Sequence, residues 1–170
     1  NAKNCLKHWC STTVLFAQEG SQCEIKRRYL DGGKIVFRSD EKTRKMLESD
    51  YAHLRRLALS AVERSDGVLL SDYDKGFLTP EFIGHVVSLA KLMGIPCVAD
   101  AKREPELYAG AIFKCNEDYR KRYRHVAFGA PGLVSTRGAD SPYFWIPGEK
   151  TQGFAAGSPV ECVNHVGAGD

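Results

Sequence analysis

Between Gly67 and Asn116 the chain alternates apolar runs with an amphipathic helical stretch, and this alternation constrains the fold more than any other feature. Gly67-Val68-Leu69-Leu70 is a short apolar run after a polar break, as a buried parallel strand requires. Thr79 and Pro80 then form a helix start, and Phe82, Ile83, Val86, Val87, Ala90 and Met93 recur at helical spacing. Gly94 stands where a left-handed residue ends a helix. Ile95-Pro96-Cys97-Val98-Ala99-Asp100 and Ala111-Ile112-Phe113-Lys114-Cys115-Asn116 supply two further strands. Strand, helix and strand in this order predict right-handed crossovers and a mainly parallel sheet in an α/β fold. In such sheets functional side chains gather at the carboxyl edge, where Ser71-Asp72-Tyr73, Asp100 and Asn116 all fall.

The flanking segments read differently. From Asp40 to Arg64 a helix is expected, with Leu47, Tyr51, Leu54, Ala58 and Ala61 on its apolar face. From about Cys23 to Arg38, Ile25, Tyr29, Ile35, Val36 and Phe37 flank the turn signal Asp31-Gly32-Gly33. That segment predicts a hairpin standing apart from the main sheet, within a single α/β domain over residues 1–170. Apolar content of 43% and charged content of 26% are those of an ordinary globular chain. No run reaches the roughly 18 apolar residues that span a bilayer, so no membrane partner is expected. A net charge of +3 is mild, and Arg120-Lys121-Arg122-Tyr123-Arg124 reads as a solvated loop, not a nucleic-acid contact. The six cysteines follow no zinc spacing and read as free thiols in a reducing cytoplasm.

The sequence ends on Gly167-Ala168-Gly169-Asp170, in which two glycines let successive N–H groups turn toward an anion. A carboxylate beside such a nest is placed to take a proton from an attacking hydroxyl. Asn164-His165-Val166-Gly167-Ala168-Gly169-Asp170 resembles the Asp-Thr-x-Gly-Ala-Gly-Asp signature of the ribokinase-like (PfkB) sugar kinases, departing at Asn164 and His165. Other segments occur in that family's order. Ser71-Asp72-Tyr73-Asp74-Lys75-Gly76 resembles the Ser-Asp-Tyr-x-Lys-Gly of the bacterial heptose-phosphate kinases that feed ADP-heptose synthesis. Asp100-Ala101-Lys102 is similar to their Asp-Pro-Lys, and Asn116 to the asparagine of Asn-x-x-Glu, with Tyr119 at the glutamate position. Val134-Ser135-Thr136-Arg137-Gly138 resembles the Val-Thr-x-Gly strand beside the nucleotide. Lys26-Arg27-Arg28 and Arg38-Ser39-Asp40 resemble the two ends of the family's lid, and Asn1-Ala2-Lys3-Asn4 resembles the stretch after its Gly-Gly sugar motif. Two internal stretches of the family and both its ends have no counterpart, so the sequence is expected to be incomplete.

The resemblance implies a ribokinase-like layered fold with a small projecting β lid, and an ATP-dependent phosphotransferase acting on a sugar or sugar phosphate, most like heptose-7-phosphate kinase. It implies Asp170 as base, with Gly167, Ala168 and Gly169 holding the transferring phosphoryl oxygens. Asn116, Thr136 and Gly138 would meet the nucleotide. Asn1, Lys26, Arg28, Asp72, Lys75, Asp100 and Lys102 would meet the sugar or its phosphate, although Asp72 and Asp100 could instead cap adjacent helices. Mg2+ would ride on ATP and water, with Glu117 or Asp118 in its outer shell. The exposed hairpin would join two copies in a homodimer. A catalytically degenerate relative that binds without turnover is the alternative. A general nucleotide-binding module is disfavoured by the lack of Gly-x-x-x-x-Gly-Lys-Ser/Thr and Gly-x-Gly-x-x-Gly.

Overall fold

The structure is a computed structural model that describes residues 10–11, 25–41, 48–74, 76–123, 130–138, 140–148 and 153–154. The described residues fall into two compact units, one within Val14–Ala58 and the other within Asn1–Thr13 and Leu59–Asp170.

The first unit holds an antiparallel hairpin of β1 (Lys26–Asp31) and β2 (Lys34–Asp40). Gly32 and Gly33 close it with φ of 53° and 80°. Two successive positive φ values match the hairpin twist and are unstrained only for glycine. Tyr29 pairs with Phe37 across the ribbon, their ring centroids 5.5 Å apart. The hairpin outruns its expected end: β2 continues to Asp40, where Arg38 Nε donates to Asp40 Oδ1 at 2.7 Å. Asp40 is therefore the end of a strand and not the start of a helix. The next helix, α1, is described over Glu48–Val62, with Leu54 and Val62 buried.

The second unit holds a six-stranded sheet in the order β3-β4-β5-β6-β7-β8. These strands are β3 (Val68–Asp72), β4 (Cys97–Ala101), β5 (Ile112–Asn116), β6 (Leu133–Arg137), β7 (Asp140–Trp145) and β8 (Gly153–Phe154). The first four run parallel and the last two antiparallel. The crossover from β3 to β4 is α2 (Pro80–Met93), whose bounds are those its end signals predict. Thr79 Oγ1 accepts the Phe82 N–H at 3.3 Å, and Gly94 stops the helix at φ 68°. Phe82, Ile83, Val86, Val87 and Ala90 are buried along its stripe, with Ala99, Phe113, Cys115 and Leu133 buried on the strands. Each large apolar side chain so buried stabilises the fold by about 1.5–3 kcal/mol. A 3-10 turn (Pro105–Tyr108) beneath α2 brings Tyr108 against Phe113, with ring centroids 5.8 Å apart.

Two of the strands begin later than their sequences suggest, for a local reason. The Ile95 N–H bonds the Ala90 carbonyl at 3.0 Å in closing α2, and the Ala111 N–H bonds Tyr108 at 2.9 Å in closing the turn. Both residues are spent on caps, so pairing starts at Cys97 and Ile112. The basic stretch is also not a loop: Glu117–Arg122 form the short helix α3, with Arg120 returning to Glu117.

Candidate active site

At the carboxyl edge of the parallel strands lies a cavity of about 290 Å³. Its walls combine the ends of β3 and β4 (Asp72, Tyr73, Asp100, Ala101, Lys102) with β5, β6 and α3 (Lys114, Cys115, Asn116, Thr136, Tyr119). The topology explains the convergence. Parallel strands direct all their C-terminal residues to one edge, and the register sets Asp72 beside Ala101, Asp100 beside Lys114, and Asn116 beside Thr136.

Asp72 is the buried anchor, 4% exposed. Its Oδ2 accepts from Arg103 Nη2 at 2.7 Å and Nε at 3.0 Å, and from the Tyr108 hydroxyl. Its Oδ1 accepts the Asp74 N–H at 2.8 Å, which holds Asp74 at a positive φ of 56°. Asp72 therefore braces its own loop and does not cap α2, which Thr79 does. Arg103 also donates to the Leu78 carbonyl at 2.6 Å. Burial disfavours the guanidinium charge, but the hydrogen bonds with Tyr108 and Asp72 outweigh it and raise the Arg103 pKa. Burial, reinforced by Asp72, drives the Tyr108 pKa far above the usual phenol value, so Tyr108 remains a donor.

Asp100 meets Lys114, whose Nζ donates to Asp100 Oδ2 at 2.7 Å. Lys102 extends past the strand end, with its ammonium 4.9 Å from the centre of the Tyr73 ring. Asn116 caps α3, its Oδ1 accepting the Tyr119 N–H at 2.8 Å, and Thr136 Oγ1 donates to the Cys115 carbonyl at 3.3 Å. Tyr119 donates its hydroxyl to the Arg103 carbonyl and stacks between Phe113 and Tyr123, at 5.4 and 4.4 Å. Burial raises its phenol pKa well above the ordinary value.

Five residues nominated from the sequence thus share one cavity: Asp72, Asp100, Lys102, Asn116 and Thr136. Gly138, at φ 64° in the turn from β6 to β7, is not among its walls. Lys26 and Arg28 lie on one face of β1, opposite Asp40 and Arg38 in register. Asn1, Lys75, Gly167, Ala168, Gly169 and Asp170 lie outside the described residues. Glu117 and Asp118 open α3 between the wall residues Asn116 and Tyr119 and are not themselves among the cavity walls. The Glu117 carboxylate takes Arg120 Nη2 at 2.8 Å and Nε at 3.0 Å, with Lys121 at 3.7 Å and Arg137 at 3.8 Å. The Arg120 hydrogen bonds hold its pKa below the ordinary value. Glu117 is thus surrounded by cations, and among the described residues no group of three His, Cys, Asp or Glu could hold a metal by direct ligation. Sequence reasoning missed Arg103, Tyr108 and Lys114. Lys114 was legible only through the strand register that sets it against Asp100.

No protein-family model matches the chain. It is 35% identical over 118 residues to the bifunctional protein HldE of Caulobacter vibrioides, covering 68% of this chain and 23% of that protein. It is 35% identical over 88 residues to HldE of Granulibacter bethesdensis, covering 51% and 18%, and 29% identical over 161 residues to HldE of Mesorhizobium japonicum, covering 88% and 32%. The chain therefore spans a third or less of the length of these curated relatives. Among solved structures it is similar to Sa239, with TM-score 0.60 and 14% identity over 85% of this chain and 52% of that one. It is also similar to phosphofructokinase-2 from Escherichia coli, with TM-score 0.54 and 16% identity over 74% and 47%. The chain is thus similar in sequence to HldE and shares the ribokinase-like fold of phosphofructokinase-2.

Proposed function

We propose that this chain carries part of an ATP-dependent kinase that transfers a phosphoryl group to a hydroxyl of a sugar or sugar phosphate. The observation that carries the reading is the convergence of Asp72, Asp100, Lys102, Asn116 and Thr136 on one cavity at the carboxyl edge of the sheet. The finer assignment is D-glycero-D-manno-heptose 7-phosphate as acceptor, supported by Ser71-Asp72-Tyr73-Asp74-Lys75-Gly76 and by the likeness to HldE.

In this reading Asp170 takes the proton of the attacking hydroxyl, while the N–H groups of Gly167, Ala168 and Gly169 hold the transferring oxygens. Asp100 accepts a sugar hydroxyl, and Asp72 keeps the neighbouring loop in place. Lys102, with Lys26, Arg28 and Lys75, meets the acceptor's phosphate, and Asn1 its sugar. Asn116, Thr136 and Gly138 take the nucleotide side. ATP arrives with its own Mg2+, and Asp118 or Glu117 is the outer-shell candidate toward that ion. The exposed apolar side chains of the hairpin, Ile25, Tyr29, Ile35, Val36 and Phe37, support homodimerisation through it as a lid. The free thiols Cys97 and Cys115 support a cytoplasmic setting.

A second reading, binding without turnover, is favoured by one observation: Tyr119 stands at the glutamate position of Asn-x-x-Glu, and the adjacent Glu117 is tied into ion pairs. Phosphate transfer from ATP to a panel of sugars and sugar phosphates decides between them. Transfer to any member supports the kinase, whereas binding with no transfer supports the second reading.

A further inference from the structure

We propose that Tyr119 is a positioning residue: from the helix on the nucleotide side of the cavity, its hydroxyl fixes the main chain that carries the acceptor side. The inference rests on the kinase reading and gives Tyr119 a role within it.

Four aromatic rings form a row at this end of the sheet. Their centroids are 4.4 Å apart from Tyr123 to Tyr119, 5.4 Å from Tyr119 to Phe113 and 5.8 Å from Phe113 to Tyr108. The row thus runs from the end of α3 across β5 to the 3-10 turn. Two of its hydroxyls close on one ion pair. Tyr119 donates to the Arg103 carbonyl, and Tyr108 donates to Asp72, which also takes the Arg103 guanidinium at 2.7 Å. Tyr108 and Phe113 are each 1% exposed, so the middle of the row is close-packed core that resists displacement. Packed on Phe113, the Tyr119 ring has a fixed seat, and its hydroxyl sets how far the Arg103 main chain lies from α3.

Arg103 sits in the short link between the end of β4 at Ala101 and the 3-10 turn at Pro105, next to Lys102. Its guanidinium holds Asp72 and the Leu78 carbonyl, so the residue that Tyr119 places also ties this link to the end of β3. In the kinase reading these strand ends meet the acceptor, through Asp100 and Lys102. The nucleotide side is reached by a different atom of Tyr119. Its main-chain N–H is taken by Asn116 Oδ1 at 2.8 Å, a bond that loss of the hydroxyl leaves intact. One residue therefore serves both sides through separate groups, and only the phenol serves the acceptor. Burial raises the phenol pKa well above the ordinary value, so the donated proton stays in place across the neutral range.

Tyr119→Phe in the purified protein separates the two groups, because it keeps the ring and the main chain and removes only the hydroxyl. Calorimetric titration with ATP, and with a panel of sugars and sugar phosphates that includes heptose 7-phosphate, is paired with hydrogen exchange read by mass spectrometry. The variant should bind the acceptor about fivefold or more weakly, with ATP affinity within about twofold of wild type. Amides of residues 102–104 should exchange faster, and those of α2 should not change. Unchanged acceptor affinity, or equal weakening toward both ligands, overturns the proposal and leaves the kinase reading standing. Exchange that quickens throughout the sheet also overturns it, since the effect would then be one of folding. A wild type that binds a panel member without phosphorylating it sinks the kinase reading, while the variant's affinity for that member still decides the inference. If no panel member binds the wild type, the two fail together.

Discussion

Asp100 and Lys114 stand directly opposite one another on adjacent parallel strands, joined by a hydrogen bond of 2.7 Å where both border the cavity. Their side chains are 30% and 22% exposed, so the pair is screened less than a surface contact but is not dry. A double-mutant cycle of Asp100→Asn and Lys114→Met, read by urea unfolding, should give a coupling of about 0.5–1 kcal/mol. Zero coupling would mean that the two charges are held independently.

Asp72 and Arg103 should behave differently, because the carboxylate of their pair is buried. Arg103→Met strands a carboxylate that is 4% exposed, and the expected cost is about 3–5 kcal/mol in urea unfolding. Arg103→Lys keeps the charge but cannot donate to Asp72 and Leu78 through one planar fork, so an intermediate loss is expected. A loss below about 1 kcal/mol in the methionine variant would show that Asp72 has found other partners.

Alkaline pH probes the core from another side. Burial pushes the Cys97 and Cys115 thiols from 9.0 up to about 11. Between these values the unfolded thiols lose protons that the folded ones keep, so stability is intact below pH 9 and falls as pH rises toward 11. The expected loss is on the order of 2 kcal/mol per thiol, and Cys97→Ala should remove one share of it. Unfolding midpoints measured across that range check the sign, and stability that rises with pH there would contradict it.

The ends of α2 were legible because their signals are local. Thr79-Pro80 and Gly94 each act within a turn of the helix, and both bounds hold. Thr79→Ala and Gly94→Ala should each cost about 1 kcal/mol. At Gly94 the loss is conformational, because nothing lies within 4 Å of where the new Cβ would stand. An unchanged thermal midpoint in either variant would show that tertiary packing alone sets that end.

The cavity was legible in part for a related reason. Asp72, Asp100 and Asn116 end apolar runs, and a parallel sheet sends all such ends to one edge. Arg103 and Tyr108 reach Asp72 from 31 and 36 residues away, Tyr108 from a 3-10 turn that leaves no periodic trace in the sequence. Lys114 looked like one polar residue in an apolar strand until pairing set it beside Asp100. The helix expected from Asp40 failed at its start because β2 claims Asp40 for the hairpin. Sequence carries signals that act within a turn or a strand; partners brought together by tertiary closure become visible only in the fold.

Phosphate transfer is the most direct test of the central claim. The complete protein should be given ATP and a panel of sugars and sugar phosphates that includes heptose 7-phosphate. The wild type should phosphorylate at least one member, and Asp170→Asn should lower that turnover by roughly 100-fold or more while leaving ligand affinity nearly unchanged. Undiminished turnover in the asparagine variant would remove Asp170 from its role. No transfer to any acceptor by a wild-type protein that binds ATP would contradict the kinase account.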